Sequence, residues 1–127
     1  MNEQELFTHL KSEMYPDLVK SEGMYDSFDC ISDKAGHFIE LKCRQTHYID
    51  LLIEQIKYRA LIEQATQRNL LPFYINSTPQ GIYSFDLTEI AEPAWVTHLM
   101  PASTEFENRT KVPKLVGYLL LEDAIKL

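Results

Sequence analysis

Glycine is scarce, four in 127 residues, and cysteine occurs twice. Few glycines, with 24% charged and 45% apolar residues, argue against a linker-like or disordered chain and allow a real core. No run is long and apolar enough to cross a bilayer as a helix. The stretch MNEQELFTHLK lacks the basic start and apolar centre of a signal peptide, so a cytoplasmic location is expected. Cys30 and Cys43 belong to no CxxC or Cys/His spacing, which speaks against a zinc site; they read as small, reduced, buried side chains. Positive charge is also short: 12 Lys and Arg against 19 Asp and Glu leave a net charge of −7. That argues against a general nucleic-acid coat, whose affinity comes largely from lysine and arginine. It leaves room for a local basic groove, and for a metal site whose carboxylates are partly neutralised by the bound ion.

What is present reads as a single domain, 1–127, with no internal repeat, low-complexity segment or linker. Leu6, Phe7, Leu10 and Met14 recur at helical spacing over residues 3–14, with Asn2 as N-cap and Pro16 as breaker. Residues 17–22 read as a short strand. MYDSFDCIS and HFIELKCR, on either side of DKAG, predict an antiparallel hairpin. Residues 47–68, HYIDLLIEQIKYRALIEQATQR, read as one long helix capped by Thr46. Its apolar row is Tyr48, Leu52, Ile56 and Ala60, flanked by Leu51, Ile53, Leu61 and Ile62. Asp50, Glu54, Lys57 and Gln64 lie along the other side. LPFYINS and GIYSFDL are two further strands around TPQG. Residues 86–90 suggest a short helix, KLVGYLLL a strand, and LEDAIKL a terminal helical turn. The outline is an α/β (α+β) domain with a central mixed sheet flanked by helices.

The hairpin carries the chemistry. With its turn centred between Lys34 and Ala35, Asp29 lies opposite Glu40. Ser27, Asp29 and Ile31 then share a face with Phe38, Glu40 and Lys42, while Phe28, Cys30, Ile39 and Leu41 form the other. Like charges directly across a hairpin, about 5 Å apart at Cβ, repel unless a cation sits between them. Carboxylate oxygens suit Mg²⁺, which keeps several waters and completes its shell from a substrate phosphate. Lys42 stands at the edge of such a site, where it can orient water or stabilise charge developing on phosphate. A three-residue loop with Gly36 in a bulge would shift the pairing by one, bring Asp26 onto the face of Glu40 and turn Asp29 away. Asp26 is therefore the reserve ligand.

Asp-x10-Glu-x-Lys across a hairpin, preceded by one helix and followed by another, resembles the PD-(D/E)XK nuclease superfamily, and most the small phage-type and resolvase-like members. The resemblance covers about residues 3–85 and leaves 86–127 as a C-terminal extension. It implies a restriction-endonuclease-like core and a metal-dependent deoxyribonuclease that uses Mg²⁺ or Mn²⁺ on DNA, in the host cytoplasm if the chain is phage-encoded. It assigns metal binding to Asp29, Glu40 and the backbone carbonyl of Leu41, and positioning of the hydrolytic water to Lys42. A glutamate of the first helix often joins them; Glu5 is the candidate, with Glu13 and Glu22 as rivals. Phe28 stands where the family name has proline. Related enzymes of this size often form two-fold dimers, one site per strand, so a homodimer is expected.

The alternatives are a catalytically inactive nuclease-like module that binds DNA or protein, an accessory protein that uses the fold for assembly, and an ordinary amphipathic hairpin with Glu40 and Lys42 in solvent. Arg44 and Lys57 are possible substrate contacts; the competing readings are a solvated arginine and a surface Glu54–Lys57 pair. His37 and His47 read as surface residues, and Tyr74, Tyr83 and Trp95 as core rather than base-stacking platforms.

Overall fold

Asn2 begins the first helix, α1 (Glu3–Glu13), through a reciprocal cap. Its side-chain oxygen accepts from the Glu5 N–H at 2.8 Å, and the Glu5 carboxylate accepts from the Asn2 N–H at 2.9 Å. Leu6 and Leu10 bury one face of α1. The computed structural model describes residues 1–21, 28–102 and 110–127. The predicted strand at 17–22 reduces to β1 (Val19–Lys20), with Glu22 outside the described residues.

The predicted hairpin is β2 (Phe28–Ser32) and β3 (His37–Cys43), paired antiparallel with Asp29 opposite Glu40. Gly36, at φ +74°, takes the left-handed position the turn requires, and its N–H donates to the Ser32 carbonyl. Asp17 braces the turn, accepting from Ser32 Oγ at 2.7 Å and Lys34 N–H at 3.0 Å. The one-residue shift is not adopted, and Asp26 lies outside the described residues.

The long helix expected over 47–68 is corrected. Residues 50–54 form strand β4 (Asp50–Glu54), and the helix is only α2 (Gln55–Gln67). Thr46 caps nothing here: the residue before the helix is Glu54, in extended conformation. The apolar row is overturned as well, since Tyr48 is 61% and Ile56 74% exposed. α2 buries Tyr58, Leu61 and Ala65 instead. The physical reason is that Asp-Leu-Leu-Ile-Glu fits both periods locally. A distant partner decides: β8 (Lys111–Leu120) pairs antiparallel along all of β4, and Leu51 and Ile53 alternate into the core.

β5 (Leu71–Thr78) and β6 (Gly81–Asp86) form the second predicted hairpin. The short helix expected at 86–90 is a turn: Asp86 Oδ1 accepts from the backbone N–H and hydroxyl of Thr88, and this local bonding competes with helix formation. The segment 86–127 supplies β7 (Val96–Pro101), β8, a 3-10 turn (Leu121–Asp123) and β9 (Ile125–Lys126). The terminal helical turn is thus a single 3-10 turn followed by a short strand.

The strands make a six-stranded mixed sheet, β1-β2-β3-β5-β6-β9, and a three-stranded antiparallel sheet, β4-β8-β7. β3 and β5 run parallel, as the β4–α2 crossover between them demands. α1 covers one face of the large sheet through Leu6, Leu10, Cys30, Ile39, Leu41 and Ile75. α2 and the small sheet cover the other through Phe38, Leu51, Ile53, Tyr58, Tyr74 and Phe85. β3 is therefore roofed on both sides, which explains its nearly continuous apolar sequence. Among the described residues no helix is long and apolar enough to cross a membrane.

The strand assignment of 50–54 makes a discriminating prediction. Ile53→Ala should cost about 2–4 kcal/mol in urea denaturation, and Ile56→Ala less than about 0.5 kcal/mol. A helix with the 48/52/56/60 row inward would give a large loss at Ile56.

Candidate functional site

β3 carries Phe38, Glu40 and Lys42 on the face beneath α2, and the antiparallel register adds Asp29 from β2. Asp29 is only 6% exposed and Glu40 9%. Parallel pairing sets Tyr74 beside Glu40 and Asn76 beside Lys42. Two acids thus sit across one hairpin inside a largely apolar layer.

Their environment resists ionisation. Burial raises the Asp29 carboxyl above its ordinary value, while Lys57 and Arg68 pull it back. Burial, then the charge of Asp29, pushes Glu40 up to about 7; Lys57, Lys42 and Arg44 oppose this. Lys57 acts on both carboxylates, where the competing expectation is a surface pair with Glu54. Glu54 bonds instead to Lys114 at 3.0 Å.

Two adjoining hollows share Glu40 and Lys57. The smaller, about 20 Å³, lies between Asp29, Glu40, Lys57 and Gln64. That is room for about one water or small ion. The larger, about 170 Å³, is lined by Glu3, Glu40, Lys42, Arg44, Glu54 and Met100 among others, and includes Leu41. Among the described residues no group of three or more His, Cys, Asp or Glu is placed to hold a metal ion. Among the described residues the acids beside the small hollow are Asp29 and Glu40. Two carboxylates beside an ion-sized hollow fit Mg²⁺ or Mn²⁺, which is held by one or two carboxylates and keeps several waters.

The remaining candidates separate. Glu5 is exposed and engaged with the N-cap, and Glu13 is exposed near the far end of α1. Glu3, which sequence reasoning missed, is the helix-1 acid that lines the cleft. Its spacing from Leu6 and Leu10, three and seven residues, puts it on the buried face of α1; that periodicity was the available signal. Lys42 is exposed at the mouth. Arg44 is committed internally. Its Nε donates to Asn76 Oδ1 at 3.0 Å, and one terminal nitrogen donates to the Tyr74 hydroxyl at 3.0 Å and to the Leu52 carbonyl. It ties the large sheet to β4 and forms part of the cleft wall. Asn76, fully buried, has no partner for Nδ2 among the described residues.

His37 is half-buried, sharing a 3.0 Å hydrogen bond with the Tyr15 hydroxyl and stacking on Phe73 at 3.7 Å. His47 pairs with the Thr78 hydroxyl at 2.8 Å. Tyr74 and Tyr83 are core, and Trp95 packs edge-on against Tyr58 at 5.3 Å. Compared with known proteins, the chain matches no family model, and no curated protein or solved structure shows significant similarity to it.

A raised carboxyl pKa makes the fold bind protons more tightly than the unfolded chain. Glu40 therefore penalises the metal-free fold little below its unfolded value of 4.5, and increasingly as pH rises through about 7. Glu40→Gln should stabilise the metal-free protein at pH 8 by on the order of 2–3 kcal/mol relative to its effect at pH 4. Thermal melts of both proteins across this range check it; parallel profiles would contradict it.

Proposed function

We propose that the protein is a metal-dependent deoxyribonuclease of PD-(D/E)XK type, with a restriction-endonuclease-like core, hydrolysing DNA phosphodiester bonds. The observation that carries this reading is the buried Asp29–Glu40 pair facing an ion-sized hollow, with Lys42, two residues further along β3, lining the adjoining larger hollow that shares Glu40. Asp29, Glu40 and the Leu41 carbonyl are the groups that would hold the cation. When bound, Mg²⁺ supplies positive charge that stabilises the phosphate in the transition state and favours deprotonation of water. Lys42, exposed and cationic, orients the attacking water or stabilises charge developing on the phosphate oxygens. Glu3 adds a carboxylate to the cleft wall and replaces Glu5 as the helix-1 candidate. Arg44 positions rather than contacts: its bonds to Asn76, Tyr74 and the Leu52 carbonyl hold the cleft wall in place.

A second reading, a nuclease-like module that binds DNA or protein without cleaving it, draws on one observation. Lys57 already offsets part of the charge of both acids from within the fold. In that reading the acids and Lys57 are a self-contained polar cluster.

Incubation with supercoiled, linear and single-stranded DNA in Mn²⁺ separates the two. Cleavage of at least one form is expected, falling by about 100-fold or more in Glu40→Ala and in Lys42→Ala. Cleavage that survives both substitutions would refute the nuclease reading, as would failure of the folded wild type to cut any form.

A further inference from the structure

A larger hollow, about 560 Å³, adjoins the acidic cleft. It lies where the chain after β3 crosses to β4 and meets β7 and β8 of the small sheet. Arg44, Leu52 and Met100 line both spaces, so the hollow continues the cleft. Its wall carries two tyrosines, Tyr48 and Tyr118, which are 61% and 38% exposed. Neither ring is consumed by the core. Tyr118 makes an edge-on contact with His98, whose Nδ1 lies 3.4 Å from the Tyr118 hydroxyl. Asp50 supplies a hydrogen-bond acceptor on the same wall.

We propose that this hollow is a base-binding subsite: it takes one unpaired nucleobase stacked on Tyr48 or Tyr118 while the adjoining phosphodiester lies toward Glu40 and Lys42, making single-stranded DNA the preferred substrate. The inference deepens the nuclease reading and rests on it for the placement of the phosphate. Three features favour this occupant. A net charge of −7 disfavours the many phosphate contacts that hold a duplex, so contacts to the bases gain weight. Exposed aromatic rings supply them, because every base has a face that stacks. The volume lies in the range of small-ligand pockets, which suits a single extruded base and not a duplex.

Fluorescence anisotropy tests this on the full chain in EDTA, with a labelled oligothymidylate and a labelled blunt duplex of equal length. The single strand should bind at least about tenfold more tightly than the duplex. At least one of Tyr48→Ala and Tyr118→Ala should weaken single-strand binding by about tenfold, and phenylalanine at the same position should restore it to near wild type. Equal affinity for the two forms, or single-strand binding unchanged in both alanine variants, overturns the subsite. Adding Mn²⁺ and following cleavage keeps the two proposals apart. Tyrosine-dependent single-strand binding without cleavage supports the subsite and overturns the nuclease reading. Mn²⁺-dependent cleavage of single strands with the same KM in wild type and both alanine variants overturns the subsite and leaves the nuclease reading standing.

Discussion

Burial of two facing carboxyl groups, Asp29 and Glu40, is the constraint on which the account of this molecule rests. Cross-strand register sets the two acids side by side, and α2 and the small sheet then remove them from water. Burial, then the charge of Asp29, pushes Glu40 up to about 7, and burial shifts Asp29 the same way. A sheet that needed only stability would place apolar residues here, as it does at Phe38 and Ile39. Partial compensation comes from Lys57 on α2 and from Lys42 and Arg44 on and beyond β3. The hollow between the acids leaves space for a further positive charge.

The rest of the architecture packs around that pair and the small hollow beside it. β4 is the pivotal element. It leaves the large sheet, pairs with β8, and delivers α2 across the acids. Arg44 fixes this arrangement by bonding both to Asn76 and Tyr74 of β5 and to the Leu52 carbonyl of β4. Such a clamp puts several hydrogen bonds of one guanidinium on groups that burial would otherwise leave unsatisfied. The same bracing separates the acidic cleft from the tyrosine-lined hollow while leaving them continuous at Leu52 and Met100.

Much of this was legible in the residues because it rests on local rules. Asn2 and Glu5 announce a capping box, Gly36 a turn, and the period-two placement of Asp29, Glu40 and Lys42 a shared face. The register followed from the turn's centre. What escaped was non-local. Leu51 and Ile53 read equally well as helix or strand until β8, some sixty residues on, offers a ladder. The strand at KLVGYLLL is readable, but its pairing with residues 50–54 is not local, so the small sheet and the cleft it borders are not visible in the sequence. Glu5 is the helix-1 candidate in the sequence, with Glu13 and Glu22 as rivals; Glu3, which lines the cleft, is not among them, and the Glu5 carboxylate is engaged with the Asn2 N–H. Arg44 read as a solvent or phosphate contact because its partners, Asn76 and Tyr74, come from a strand thirty residues later.

Calorimetric titration of Mn²⁺ into the metal-free protein at pH 7, repeated in buffers of different ionisation enthalpy, tests the central claim most directly. A cation held by the pair should bind once per chain. It should also release a fraction of a proton near pH 7, because Glu40 is partly protonated there. That release should vanish in Glu40→Gln, with binding weakened by about 10- to 100-fold. Absence of Mn²⁺ binding to the folded wild type, or binding of equal strength in Glu40→Gln, would contradict the account.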